Sequence, residues 1–266
     1  MRRLMLKTEF LKNLGEKIIH VRFVGRMLVR PEEFIGRYLF VHGAYEEDLL
    51  RLFSELVRPG DCVLDIGANL GYFTLLASRL VREGGKVHAF EASCKTFDRL
   101  AANLALNSLQ NVVLHHCAVS DCRGMLDFFD ARDTNSGLSS LRDLGELTRE
   151  VTRVNAITID SLLADLATVR LVKLDVEGAE CLALHGMAGL LRRDRPYLTL
   201  EMSDAFLREL GSSSDEVYHW LTDAGYTVYR IAPRLCRMHQ GTDEQCNVLC
   251  IPNGIAIPKA ITAILD

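Results

Sequence analysis

The residues best suited to chemistry stand at the ends of short apolar runs. Cys62-Val63-Leu64 leads into Asp65-Ile66-Gly67-Ala68-Asn69-Leu70-Gly71, and Phe73, Leu76, Ala77 and Leu80 then make a helical stripe. Glycines at a strand-to-helix turn let the backbone bend sharply and approach a ligand closely. The next run, Lys86–Phe90, ends on Glu91, where a carboxylate accepts hydrogen bonds from two ribose hydroxyls. Asp175 ends the run Leu171–Leu174, and Glu201 ends Tyr197–Leu200. Ligands of open α/β sheets bind beyond the carboxyl ends of the strands, so both acids are expected to face the pocket.

The glycine loop limits the ligand. The dinucleotide fingerprint G-x-G-x-x-G makes room for a pyrophosphate. Here Asn69 stands at the second glycine position and Tyr72 at the third, which crowds one. S-adenosylmethionine carries no phosphate, and D-x-G-x-x-x-G tolerates a side chain there. The pattern therefore points to that cofactor, against a plain glycine turn with no ligand. Its expected contacts are Asp65, Gly67, Ala68, Asn69, Gly71, Tyr72, Phe73, Glu91 and Ala92, with Ala118 and Val119 in the turn bordering the adenine.

Transfer of a methyl group from a sulfonium is an in-line displacement, for which the protein chiefly orients the acceptor. An alcohol acceptor also needs a base. Asp175 is the first candidate for a group near the reacting methyl and also contacts the cofactor. Lys173 shares its strand face and, as a charge in an apolar strand, needs a partner such as Asp175 or Glu177. A structural ion pair beneath the cofactor and a direct part in the reaction both stay open for Lys173. Glu177 begins the next helix, either as a dipole partner or as a site residue. Asp175, Lys173, Glu177 and Glu201 form the expected catalytic set. Asp175 and Glu201 can be drawn as Mg²⁺ ligands, but two carboxylates are too few, and no metal is expected. His42 and His185 are the histidines worth testing as bases.

The elements that must position these groups alternate strand and helix after residue 60, the mark of a parallel sheet covered by helices. Before that, Val21–Val24 and Met27–Val29 flank Gly25-Arg26 as a hairpin. Tyr38–Val41 reads as a further strand, and Leu49, Leu52, Phe53 and Leu56 share a helix face. Residues 1–57 are read as a cap, and 58–266 as the main domain with an insertion at about 121–160. The insertion should hold strands Met125–Phe129 and Val151–Ile157 around the polar loop Asn135–Ser140. Cys181–Leu191 reads as one helix. Tyr226–Ile231 and Cys246–Ile251 close the sheet, pairing antiparallel across a long loop.

Composition narrows the class. The chain has 266 residues, 48% hydrophobic, with a formal charge of −4. It lacks the basic surface that the phosphate backbone of nucleic acid demands. It also lacks the [N/D/S]-P-P-[Y/F/W] turn of amino-group nucleic-acid methylation and the Pro-Cys pair of cytosine chemistry. No apolar run approaches the length of a membrane span. Lys7, Glu9 and Lys12 interrupt any signal core in the basic start, which reads as a short amphipathic helix. The 8 cysteines include no C-x-x-C; Cys236, His239, Cys246 and Cys250 sketch a zinc site only loosely. Reduced thiols suit a cytoplasmic enzyme. The oligomeric state is not legible.

Taken together, these residues resemble the FkbM-type methyltransferase family. The likeness begins at Gly43-Ala44-Tyr45-Glu46 and runs through Val63–Gly71 and Ala89-Phe90-Glu91. It continues through Asn103 to Asn107, Ser136 to Leu141, Thr158-Ile159-Asp160, Val172-Lys173-Leu174-Asp175-Val176-Glu177-Gly178-Ala179-Glu180 and Asn247-Val248-Leu249. It spans roughly residues 40–252, and the K-x-D-x-E-G stretch is its most specific part. Glu91-Ala92 replaces the family's usual Glu-Pro, which keeps the carboxylate. The resemblance implies a Rossmann-like class I fold, a mostly parallel seven-stranded sheet with an antiparallel last strand. It implies O-methylation of a hydroxyl on a small molecule, natural product, sugar or glycolipid. Tyr45 and Glu46, at the start of the cap helix, are expected to cover the methionine end of the cofactor.

Overall fold

The computed structural model describes residues 14–131 and 137–265. The expected leading helix, and Asn135 and Ser136 of the polar loop, lie outside them. The described chain starts with an antiparallel hairpin of β1 (Lys17–Val21) and β2 (Gly25–Val29), Lys17 facing Val29. Its turn falls at Arg22-Phe23-Val24, just ahead of the expected Gly25-Arg26. Two helices follow, α1 (Phe34–His42) and α2 (Glu47–Leu56).

The strand expected at Tyr38–Val41 is thus part of α1. Its aromatic composition favours a strand locally, but tertiary packing overrides it. Gly36 sits where a Cβ would lie 2.1 Å from the Arg30 carbonyl oxygen, so the helix packs tightly on the backbone leaving β2. Gly43, left-handed at φ 71°, closes the helix by donating its N–H to the Leu39 carbonyl.

The main sheet starts with β3 (Cys62–Ile66), α3 (Tyr72–Val81), β4 (Lys86–Glu91), α4 (Cys94–Ala105) and β5 (Val112–His116). Next come β6 (Ala118–Val119), β7 (Gly124–Ala131) and β8 (Thr148–Ile157), a separate three-stranded sheet ordered β6-β8-β7. After them run β9 (Val169–Leu174), α5 (Glu180–His185), α6 (Ala188–Asp194) and β10 (Tyr197–Met202). The expected helix Cys181–Leu191 is therefore two helices, broken at Gly186-Met187. The chain ends with α7 (Asp204–Glu209), α8 (Ser214–Asp223), β11 (Tyr226–Arg230), β12 (Cys236–Arg237), β13 (Cys246–Pro252) and α9 (Lys259–Thr262).

The large sheet runs β12-β11-β13-β10-β9-β3-β4-β5. Five central and edge strands, β10 to β5, pair in parallel; β13 lies antiparallel between β10 and β11, as the two closing runs suggest. The sheet has eight strands where seven are expected. The extra one is the two-residue β12, formed where the long connection after β11 folds back and pairs Cys236 with Arg230. Every residue of β3 is buried, as a central strand covered on both faces requires. One apolar core joins Val21, Met27, Phe53, Leu75 and Leu100 on the hairpin side. The other joins Leu174, Leu184, Leu190 and Leu221 on the opposite face. The order reverses at β3, between β4 and β9, and this opens the crevice in which open α/β sheets bind ligands.

Candidate active site

A cleft of about 1070 Å³ lies over this crevice. The loop after β3 forms one wall. Gly67 has φ 77°, and a Cβ there would fall 1.8 Å from the Asp175 carbonyl oxygen, so only glycine lets the two strand ends meet. The N–H groups of Gly67 and Ala68 both donate to the Phe90 carbonyl at 3.0 Å, tying the loop to β4. Asn69, left-handed at φ 50°, donates its backbone N–H to Glu91 Oε2 at 2.9 Å.

Glu91 is the acidic end of β4. Its Oε1 accepts from the Ser93 N–H at 2.9 Å, and Ser93 in turn donates to Asp130 of β7. Burial raises the Glu91 carboxyl from 4.5 to about 7, against the pull of the Ser93 and Asn69 N–H groups. Around it Phe90, Ala92, Cys117, Ala118, Val119, Phe128 and Leu141 make an apolar slot.

Acids gather at the opposite end. Asp175, Glu177 and Glu201 present carboxylate oxygens within 4.8 Å of one another, and Glu46 also faces the cleft. Burial and then Asp175 and Glu201 push the Glu177 carboxyl well up; burial and Asp175 do the same to Glu201, partly offset by the hydrogen bond that Gln245 donates. Glu46 is raised by burial and Asp175, while Lys173 and the amide of Asn247, 3.2 Å from its Oε1, act against this. Lys173 is 5% exposed, 3.0 Å from Asp175 Oδ2 and 3.9 Å from Asp65 Oδ1. Burial opposes its charge, but Asp175, Asp65 and Glu46 outweigh it, so its pKa stands above the ordinary lysine value.

The acidic loop is fixed from behind. Glu180, buried at the start of α5, accepts from the N–H groups of Val176 and Gly178. Ser140 Oγ and Arg142 Nε donate to the Glu177 carbonyl at 2.7 and 3.0 Å. Glu177 itself has φ 53°, a left-handed backbone rare outside glycine.

Of the residues expected from sequence, Tyr45, Glu46, Gly67, Ala68, Asn69, Tyr72, Phe73, Glu91, Ala92, Ala118, Val119, Lys173, Asp175, Glu177 and Glu201 line the cleft. Asp65 and Gly71 do not. Asp65 is 0% exposed behind the wall, accepts from Thr74 Oγ1 at 2.5 Å and faces Lys173. Gly71 caps α3 and packs on Leu100. His42 and His185 line neither the cleft nor its approach; His185 lies edge-on to Trp220. Sequence reading missed Ile35, Phe128 and Leu141 on the wall, and Glu180, Arg142, Gln245 and Asn247 as supports. For Glu180 a signal existed, a second carboxylate three residues after Glu177 in a helix's first turn. Of the loosely sketched zinc set, Cys250 is buried in β13 and Cys236 is exposed in β12. Among the described residues, the one grouping spaced for a metal is Asp175, Glu177 and Glu201.

The donor set suits a cationic nucleoside. One end offers an apolar slot beside an anchored carboxylate, the other a carboxylate excess with Lys173, itself paired to Asp175, as the one cation lining the cleft among the described residues. Fold and cleft together define a Rossmann-like class I methyltransferase. The chain belongs to the FkbM family of S-adenosylmethionine-dependent methyltransferases, whose domain model, the methyltransferase FkbM domain, matches residues 65–228. It is 29% identical over 229 residues to the 31-O-demethyl-FK506 methyltransferase FkbM of Streptomyces tacrolimicus, covering 74% of this chain and 82% of that one. It is 28% identical to the hexuronic acid methyltransferase AglP of Haloferax volcanii, over 64% of this chain and 67% of the other. A solved structure from Clostridium thermocellum, described as a candidate rRNA-methylase, shares the fold with TM-score 0.51 at 15% identity, covering 78% of this chain and 96% of its own. Among the described residues no helix is long and apolar enough to cross a membrane.

Proposed function

We propose that the chain transfers a methyl group to a hydroxyl of a small organic acceptor. The observation that carries this reading is the trio Asp175, Glu177 and Glu201, converging within 4.8 Å beyond the strand ends. An alcohol must lose a proton as it is methylated, and a buried carboxyl with a raised pKa is matched to that task. The named activity of one relative, on the 31-oxygen of a demethylated FK506, agrees with an oxygen acceptor.

When bound, S-adenosylmethionine supplies a methyl carbon on a positively charged sulfur that leaves as a thioether. In this reading Glu91 holds the ribose hydroxyls, with Phe90, Ala118, Val119 and Phe128 against the adenine. Glu46 and Asp175 face the cationic end, and the rings of Tyr45, Tyr72 and Phe73 help to exclude water there. Residues 14–57 act as a cap in that they bring Ile35, Tyr45 and Glu46 to the cleft. Asp65, Thr74 and Lys173 are positioning residues: the ammonium orients Asp175 from behind. Glu177 and Glu201 lie too close for both to ionise easily, so the pair shares one proton. A cation in the cleft favours their ionised form, and the pair then takes the proton of the acceptor hydroxyl.

Methyl-tritiated cofactor offered with hydroxylated small molecules should label an acceptor oxygen. Glu177→Gln and Glu201→Gln should each lower kcat by about 10²–10⁴-fold, with cofactor affinity nearly unchanged in calorimetry. Wild-type kcat in both variants would remove the pair from this role. Loss of turnover in EDTA, restored by Mg²⁺, would reassign the trio as metal ligands.

A further inference from the structure

The acidic end of the cleft continues into a second groove. Its walls are Glu33, Phe34 and Ile35 at the start of α1, Gly137 and Leu138 on the other side, and Gln245. It shares Tyr45, Asn69, Glu177 and Glu201 with the cofactor cleft, so the two are one continuous space meeting at the carboxylates. The outer part is apolar. Phe34 is 53% exposed, and Tyr38 and Val41 extend its stripe along one face of α1. The inner part is acidic. Glu33 is compensated by Arg99 at 2.8 Å and Arg30 at 3.8 Å, neither arginine lining the groove, whereas among the described residues Glu177 and Glu201 have no cation on its wall. Among the described residues, none lining the groove is Lys, Arg or His.

Resting on the methyl-transfer reading, we infer that this groove is the acceptor subsite and that it selects by charge: the acceptor's hydroxylated end is uncharged and its far end apolar. The argument is electrostatic. A carboxylate or phosphate entering the groove meets the one negative charge left on the Glu177–Glu201 pair, with Asp175 beside it, in a poorly solvated space where, among the described residues, no groove-lining cation offsets it, and like charges there are strongly disfavoured. An uncharged hydroxyl donates to the ionised member of the pair without adding charge. Phe34, Ile35 and Leu138 bury whatever apolar body follows it. Phe34 and Leu138 are thus specificity-determining residues outside the reacting groups.

The test is binding to the cofactor-free chain, read by ligand-observed NMR, so that it does not depend on turnover. Octyl β-glucoside and octyl β-glucuronide share shape and apolar tail and differ by one carboxylate. Below their micelle concentrations the glucoside should bind at least tenfold tighter, and Leu138→Asp and Phe34→Ser should each weaken it at least fivefold without shifting Tm. Equal or tighter binding of the glucuronide, no binding of the glucoside, or an unchanged affinity in both variants overturns the proposal. A dialkyl glucoside in phosphatidylcholine vesicles separates the sources of such an acceptor: co-sedimentation supports a bilayer-held one, and binding of the monomer alone a free one. Labelling a carboxylate-free acceptor at a site other than oxygen would defeat the reaction assignment while leaving the charge selection intact.

Discussion

Glu91 carries a proton whose fate is tied to the cofactor. Its carboxyl stands at about 7 in the fold against an ordinary 4.5, because burial outweighs the two N–H groups it accepts from. A raised folded pKa means the native state binds the proton more tightly than the unfolded chain does. That stabilisation is fully present below about pH 4.5 and is lost as the pH rises through about 7. The Tm of the cofactor-free protein should therefore fall between pH 5 and pH 7.5, and Glu91→Gln should flatten the slope. Ribose hydroxyls donate to the ionised form, so binding should expel protons near pH 6.5. Calorimetry in buffers of different ionisation enthalpy reads this directly; a buffer-independent enthalpy counts against ribose at Glu91. Glu91→Ala should weaken cofactor binding without unfolding the chain.

At the scale of elements, the site depends on loops held by side chains from elsewhere. Asn103 of α4 is 0% exposed; its amide donates to the Leu70 carbonyl at 2.9 Å and its oxygen accepts from the Leu28 N–H at 2.6 Å. It thereby ties the glycine loop to the N-terminal hairpin. Asn103→Ala strands these buried groups and should destabilise by about 3 kcal/mol, each orphaned group being worth roughly 1–3 kcal/mol; urea unfolding checks this. Such ties explain what could be read in advance. Glu91 and Asp175 were legible because a buried strand announces where it ends, and the carboxyl end of a parallel strand is where ligands sit. Asp65 was placed on the wall by the same logic, yet it lies inside β3 and its side chain turns to Thr74 and Lys173 instead. Phe128, Leu141 and Ile35 were illegible. They reach the cleft only because β8 pairs with β6 and α1 folds back on Arg30, long-range contacts that no local period encodes.

At the scale of the molecule, the antiparallel β13 was foreseen from two closing runs, but its consequence for the site was not. Its Asn247 steadies Glu46 across the cleft, linking the far ends of the chain. The sheet order also places β13 between β10 and β11, so the last strand of the described chain is an interior one. A chain emerging from the ribosome must hold open a slot until that strand arrives. Until then the whole edge of β10, with its N–H and C=O groups unpaired, is available to any other extended chain. A version ending at residue 244 should lose β11 and β12 along with β13, and should aggregate at concentrations where the full chain stays monodisperse in light scattering. The same slot makes residues 245–265 a natural complementation fragment: supplied in trans as a peptide, they have a defined place to add as a strand.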